Sequence, residues 1–195
     1  MFQQLKDYLQ KRITVTDEQF ELISRDIKVK VIEKNQLLVA PGEINSKGYF
    51  VTEGLLRCYS IDSKAKVNII QFAPENWWMS ERNSLFNEPS DFYIDAVERT
   101  TVLQIPKNYF DDAAKNIPCF ADLNYTMLNN SIRFMQKRIN MLLSATAEER
   151  YLDFIKLYPN LTLRVPQWMI ASYLGITPES LSRVRKDLAH KHFKV

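Results

Sequence analysis

The chain has 195 residues, of which 46% are hydrophobic and 25% charged, with a formal net charge of +3 at pH 7. This composition supports a folded core and excludes a disordered chain. No apolar run approaches the ~18 residues of a membrane span, and the first residues lack the apolar centre of a signal peptide, so we expect a cytoplasmic protein without a membrane partner. The two cysteines and two histidines have no metal-ligand spacing. No phosphate-loop or nucleophile motif is present, so we expect no metal, no cofactor and no enzymatic activity.

The first half of the chain predicts two short helices followed by strands. Apolar residues at helical spacing begin at Phe2, and Thr16 is a good N-cap for a second helix over residues 17–23. Short apolar runs separated by turn residues then indicate an antiparallel sandwich or roll. The predicted strands cover residues 29–32, 37–39, 49–51, 55–61, 67–72, 92–97 and 101–105.

A long helix with two apolar lines is predicted from about residue 118 to 143. In one line the apolar residues are spaced alternately by three and four residues, which is a heptad pattern. In the other line they are spaced by seven residues. We expect one line to pack on the β-domain and the other to pack on the same helix of a second copy, giving a homodimer. The alternative is a single core helix buried all round, but Arg133, Lys137 and Arg138 form a polar strip that such a helix would not carry. The predicted dimer seam consists of Tyr125, Leu128, Ile132, Met135, Ile139 and Leu142. The second line consists of Phe120, Met127, Phe134 and Met141.

The last part of the chain predicts a helix-turn-helix. A helix that follows Pro166 ends at Gly175, which can take the left-handed conformation that a sharp turn requires. Thr177 is a good N-cap for the next helix, and Pro178 suits its first position. The apolar stripe of that helix consists of Leu181, Val184 and Leu188. A generic two-helix corner is the alternative, but the cap and the stripe agree on one register.

The outer face of this second helix carries side chains suited to DNA. Glu179, Ser182 and Arg183 are the candidates for reading base edges, because arginine pairs bidentately with guanine and glutamate accepts from cytosine. The candidates for phosphate contacts are Thr177, Arg185, Lys186 and Lys191. From residue 161 onward, six basic residues against two acidic ones give +4, while the whole chain carries +3. The excess positive charge therefore lies where a phosphate-binding surface needs it.

The order of these elements resembles the Crp/Fnr family of bacterial transcription regulators. Gly42 and Gly54 match the glycine turns of the family's cyclic-nucleotide-binding β-roll, residues 146–150 match the start of its winged-helix domain, and residues 179–183 match its recognition helix. The resemblance covers nearly the whole chain. It implies an α+β fold with a jelly-roll-like β-roll sensor domain, a long dimerisation helix and a C-terminal helix-turn-helix domain. The implied domains are residues 1–116, 117–143 and 144–195.

The function that the resemblance implies is homodimeric, sequence-specific transcription regulation, with double-stranded DNA and RNA polymerase as partners. In the family's ligand pocket, a Gly-Glu pair is followed ten residues after the Glu by an Arg that neutralises the cyclic phosphate. An ungapped alignment places Met79, Ser80 and Ser90 at these positions. Because a phosphate buried without its Arg is costly, we expect no useful binding of cAMP.

Any effector is therefore an unknown small molecule other than cAMP. The candidate lining residues of its pocket are Phe72, Trp77, Trp78, Ser80, Arg82, Ser90 and Phe92. The alternative interpretation is that the aromatic members are core residues of the roll.

The C-terminal end is a second departure from the family pattern. Family members usually follow the recognition helix with a β-hairpin wing, and residues 190–195 predict a truncated or absent wing. The link from Tyr158 to Val165 is also short, in a region where related activators contact RNA polymerase. The alternative function is a sensor or protein-interaction module whose helix-turn-helix does not bind DNA.

Overall fold

The computed structural model describes residues 1–80 and 83–192, and Arg82 of the predicted pocket lies outside them. The chain folds as the α+β protein that the sequence predicts. It begins with helices α1 (Phe2–Gln10) and α2 (Asp17–Ser24). The Thr16 side chain accepts from the backbone N–H of Gln19, whose own side chain accepts from the backbone of Thr16, so the predicted start of α2 is confirmed as a capping box.

Two antiparallel four-stranded sheets follow, in the orders β1-β8-β3-β6 and β2-β7-β4-β5. The predicted antiparallel roll is therefore confirmed. The strands are β1 (Lys28–Ile32), β2 (Leu37–Val39), β3 (Lys47–Glu53), β4 (Leu56–Ile61), β5 (Val67–Ala73), β6 (Trp78–Met79), β7 (Tyr93–Ala96) and β8 (Thr100–Pro106).

Alternation along the strands separates two cores. On β3, Tyr49 and Val51 point into the space between the sheets, where they pack with residues of both sheets such as Leu56 and Ile94. Phe50, between them, points to the opposite face and joins a second core that includes α1, α2 and the start of the long helix. The first sheet is thus covered on both faces.

The sequence did not predict helix α3 (Tyr109–Asn116), the two-residue strand β6 or a short 3-10 helix (Asn83–Phe86). The remaining helices are α4 (Cys119–Ser144), α5 (Ala147–Leu157), α6 (Leu161–Arg164), α7 (Gln167–Leu174) and α8 (Pro178–His192). The single-turn helix α6 occupies the short link before the helix-turn-helix. In the described part of the chain no strand follows α8, and the truncated wing stays a prediction.

The chain forms two compact units. One contains Met1–Ser60 and Ile70–Asn130, and the other contains Ile61–Ile69 and Ser131–Val195. The tip of the β4–β5 hairpin therefore groups with the C-terminal helices, and α4 belongs to both units. Within residues 1–80 and 83–192, no helix combines the length and the apolar character needed to cross a membrane.

Candidate nucleic-acid interface

The predicted helix-turn-helix is present with its turn and its cap. Helix α7 ends at Gly175, whose φ of +66° lies in the left-handed region. The Oγ1 atom of Thr177 accepts from the backbone N–H of Ser180 at 3.2 Å, which satisfies one of the N–H groups at the start of α8. The conformation of the turn is therefore fixed by local chemistry.

Three aromatic rings form the centre of the helical domain behind this turn. The rings of Phe154, Tyr158 and Tyr173 lie with centroids 5.4–5.8 Å apart, at angles typical of edge-to-face and tilted pairs. Leu181 of α8 is fully buried, while Val184 and Leu188 are half-buried, as the predicted stripe requires. One face of α8 is thereby packed, and the other face is left to solvent.

Two arginines from outside the motif cap the end of α7. Arg138 of α4 donates to the carbonyl of Tyr173 at 2.9 Å, and Arg150 of α5 donates to the carbonyl of Leu174 at 2.8 Å. The last carbonyls of a helix have no partner within the helix, and the negative end of the helix dipole favours cations. Sequence reasoning missed both contacts, and it assigned Arg138 only to a polar strip.

The outer face of α8 presents the side chains that were predicted to read bases. Glu179, Ser182 and Arg183 are exposed, and their spacing of three and four residues places them on one side of the helix. Hydrogen bonds from its own backbone N–H and from the Thr177 hydroxyl hold the pKa of Glu179 below its usual range. Glu179 is therefore an ionised acceptor at neutral pH.

The predicted phosphate-binding residues differ in their surroundings. Arg185 and Lys186 are exposed on α8. The hydroxyl of Thr177 accepts the capping hydrogen bond described above. The ammonium of Lys191 donates to both carboxylate oxygens of Glu148, at 2.7 and 2.8 Å, and so links the end of α8 to the first turn of α5.

The candidate effector pocket does not gather its aromatic residues in one place. Trp78 packs against Tyr8, Phe50 and Phe110 in the core beneath the helices. The other aromatic candidates lie elsewhere: Trp77 and Phe92 pack against the core between the sheets, and Phe72 is fully buried.

The polar candidates are separated in the same way. Ser80 is exposed, while Ser90 is 3% exposed. The hydroxyl of Ser90 donates to the carbonyl of Phe92 and accepts from the N–H of Phe92. These placements favour the interpretation of the aromatic candidates as core residues of the roll.

The two apolar lines of α4 have different exposures. Phe120 is fully buried and Met127 packs against the same core, while Phe134 and Met141 line a small cavity of about 70 Å³ among α4, α5 and α7. The heptad line faces solvent in the single chain. The exposed fractions are Tyr125 70%, Ile132 56%, Met135 48%, Ile139 57% and Leu142 39%, and Leu128 is half-buried.

One buried ion pair in the roll was missed by sequence reasoning. Arg57 of β4 and Asp95 of β7 are direct partners in the sheet register and are 9% and 4% exposed. The guanidinium donates to both carboxylate oxygens, at 2.7 and 2.8 Å. The ring of Tyr59 lies 4.5 Å from the guanidinium and stacks on the ring of Tyr93. Such a pair is expected to fix the strand register rather than to bind a ligand.

Comparison with known proteins finds related regulators. The family model described as "Cyclic nucleotide-binding domain" matches residues 29–116. An anaerobic regulatory protein of Haemophilus influenzae is 26% identical over 184 residues, covering 88% of this chain and 71% of that protein. The matched domain and these relatives support a Crp/Fnr-type regulator.

Solved structures agree with this Crp/Fnr fold. The structure of FixK2 from Bradyrhizobium japonicum superposes with a TM-score of 0.73 at 22% identity, covering 85% of this chain and 86% of that one. A CRP/FNR-family transcriptional regulator from Thermus thermophilus gives a TM-score of 0.62 at 15% identity, covering 84% and 87% of the two chains. The helix-turn-helix lies outside the matched residues 29–116.

Proposed function

We propose that this Crp/Fnr transcription regulator binds DNA sequence-specifically as a homodimer. The observation that carries the proposal is the outer face of α8. Glu179, Ser182 and Arg183 lie exposed on one side of a helix whose start is capped by Thr177 and whose opposite side is buried. This is the arrangement by which a recognition helix enters the major groove.

The base-reading roles follow from hydrogen-bond chemistry. Arg183 donates two hydrogen bonds to one guanine, and ionised Glu179 accepts from the amino group of cytosine or adenine. Ser182 supports either contact. Arg185 and Lys186 bind phosphates, which sets the salt dependence but carries no sequence information.

Exposure of the heptad line on α4 supports the homodimer. Apolar side chains such as Ile132 and Ile139, each more than half exposed, recur at coiled-coil spacing along one face. A second copy of the same helix would remove them from water, and the two-fold axis would then pair two recognition helices. We expect them to read half-sites about one helical turn of DNA apart.

The effector and the protein partner form the second part of the proposal. The short Ser90 side chain supplies no cation for a cyclic phosphate, and its hydroxyl is hydrogen-bonded within its own turn, which supports an effector other than cAMP. A micromolar dissociation constant for cAMP in calorimetry would contradict this part. RNA polymerase is the expected protein partner, and the cytoplasm, where the DNA lies, is the expected compartment.

The experiment is selection of bound sequences from a random duplex DNA pool by the purified protein without added ligand. We expect a two-fold symmetric motif. The control is the triple variant with Glu179, Ser182 and Arg183 replaced by alanine, which keeps the phosphate-binding residues and should enrich no motif. Failure of the parent protein to enrich any sequence, with or without candidate effectors, would instead favour the alternative of a protein-interaction module.

A further inference from the structure

The hydroxyl of Ser172, in the helix-turn-helix, hydrogen-bonds to the open edge of strand β5. Strand β5 is the edge of its sheet, so its outward N–H and C=O groups have no neighbouring strand. The Oγ atom of Ser172 on α7 accepts from the N–H of Ile69 at 3.0 Å and donates to the carbonyl of Val67 at 2.7 Å. This one side chain thereby takes the place of a strand neighbour over residues 67–69.

A guanidinium joins the same edge to two helices. The Nη2 atom of Arg138 donates to the carbonyl of Ile69 at 3.1 Å and to the carbonyl of Tyr173 at 2.9 Å. The guanidinium carbon also lies 3.6 Å from the centroid of the Tyr173 ring, in cation–π contact. Arg138 therefore connects α4, β5 and α7 at a single point.

The strand edge that these side chains contact is held in an ordered hairpin. The Asp62 carboxylate accepts from the backbone N–H groups of Lys64 and Lys66, at 2.9 and 3.0 Å. These hydrogen bonds lower the pKa of Asp62, so the carboxylate stays ionised and keeps the turn closed at neutral pH. Residues 61–69 belong to the same compact unit as the helix-turn-helix, and hydrogen bonds with Ser172 and Arg138 join this hairpin to α7 and α4.

We infer that Arg138 and Ser172 are positioning residues, which fix the helix-turn-helix against α4 and the β4–β5 hairpin. The inference rests on the proposed function, because only a dimer on DNA requires a set distance between two recognition helices. A single half-site is read by one α8 alone and does not depend on that distance. A symmetric operator depends on it, since a small rotation of each motif moves the two helices out of register with the grooves.

The test uses the full-length dimer and the operator obtained by selection. The variants are Arg138→Ala and Ser172→Ala. Their matched controls are Arg133→Ala, an exposed arginine of the same helix, and Ser144→Ala, whose hydroxyl donates only to the carbonyl of Asn140 within α4. Affinity is measured for the symmetric operator, for a single half-site, and for operators whose half-site spacing differs by one or two base pairs.

We expect both variants to lose affinity for the symmetric operator by roughly tenfold, which is comparable to the contribution of one charged or two neutral hydrogen bonds. The affinity of the variants for a single half-site should match that of the controls. Their affinity for the operators should depend less on the half-site spacing. Ser172→Thr keeps the hydroxyl and should restore the spacing preference.

Two outcomes would overturn the inference while the proposed function stands. One is an unchanged operator affinity and spacing profile in both variants. The other is an equal loss on half-site and full site together with a lower melting temperature, which would show a merely structural role. If the parent protein binds no duplex DNA, the proposed function fails first, and the positioning roles fail with it.

Discussion

Leu142 of the predicted dimer seam lies against Gly175 of the helix-turn-helix. A Cβ atom at Gly175 would lie 3.2 Å from Cδ2 of Leu142 and 3.5 Å from Nη1 of Arg150. The seam helix α4 therefore leaves little room for a side chain at the turn. The backbone at Gly175, with φ +66°, adds a second reason for glycine at this position.

Gly175→Ala should lower the free energy of unfolding by about 1–3 kcal/mol, because left-handed backbone strain and the contact with Leu142 both oppose a methyl group. Urea denaturation of the two proteins measures the difference. The matched control is Gly42→Ala, where φ is +87° but no atom lies within 4 Å of the new Cβ. An equal loss in the two variants would show that the contact beneath Gly175 is unimportant.

Asp95→Ala should destabilise the roll by about 3–5 kcal/mol, because it leaves the guanidinium of Arg57 buried without its counter-charge. Thermal and urea unfolding measure the loss. The double variant Arg57→Met with Asp95→Leu removes both charges and should lose much less stability than the single variant. If the double variant is as unstable as Asp95→Ala, the ion pair is not the source of the effect.

Ile139→Glu should shift the chain from dimer to monomer, since it places a charge in the middle of the predicted apolar seam. Sedimentation equilibrium at several protein concentrations measures the dissociation constant. The control is Asn130→Glu, which adds the same charge at an exposed position of α4 away from the seam. A dimer that persists in Ile139→Glu would place the interface on another surface.

Arg183→Ala and Lys186→Ala should weaken DNA binding in different ways. Loss of the Arg183 contact to a base should cost about 1–3 kcal/mol on the operator and relax specificity at one position. Loss of the Lys186 contact to a phosphate should weaken all sequences alike and reduce the salt slope by about 0.9. Titrations of operator and scrambled duplexes over a range of salt separate the two effects. An Arg183→Ala protein that binds its operator as well as the parent would contradict the assigned role.

The capping box of α5 predicts a loss of stability in acid. Hydrogen bonds from the backbone N–H and the hydroxyl of Thr146 hold the pKa of Glu149 below its usual range. The stability that Glu149 contributes is therefore present above the pKa of the unfolded chain, and it is lost as the pH falls through the lowered pKa.

Thr146→Ala removes the hydroxyl donor and should raise the pKa of Glu149 toward its usual range. Carboxyl chemical shifts measured by NMR over an acidic pH series give this pKa directly. The stability curves of the variant and the parent should converge as the pH falls. Thr126→Ala, at an exposed position of α4, is the control, and parallel curves for Thr146→Ala and the parent would contradict the prediction.

Local patterns account for what the sequence predicted well. Short apolar runs between turn residues identified seven of the eight strands in the described part of the chain, and the caps at Thr16 and Thr177 were recognised because each lies directly before its helix in the sequence. Helix α3 was missed because it is only eight residues long and its N-cap residue, Asn108, makes no side-chain capping hydrogen bond.

Long-range partners account for what the sequence could not predict. Arg57 and Asp95 are 38 residues apart, and their contact depends on a strand register that composition does not reveal. The partner of Ser172 is a backbone N–H 103 residues away, and a serine near the end of a helix carries no signal of such a contact. The exposed face of α8 was predictable from helical spacing, but the two arginines that cap α7 were not.

The stoichiometry of the protein on the selected duplex tests dimeric DNA binding most directly, and sedimentation velocity with labelled DNA measures it. We expect two chains on one duplex that carries two half-sites, and the same two-chain complex held more weakly on a duplex that carries one. A single chain bound per symmetric duplex, or no complex at low salt where the free protein is a dimer, would contradict dimeric binding.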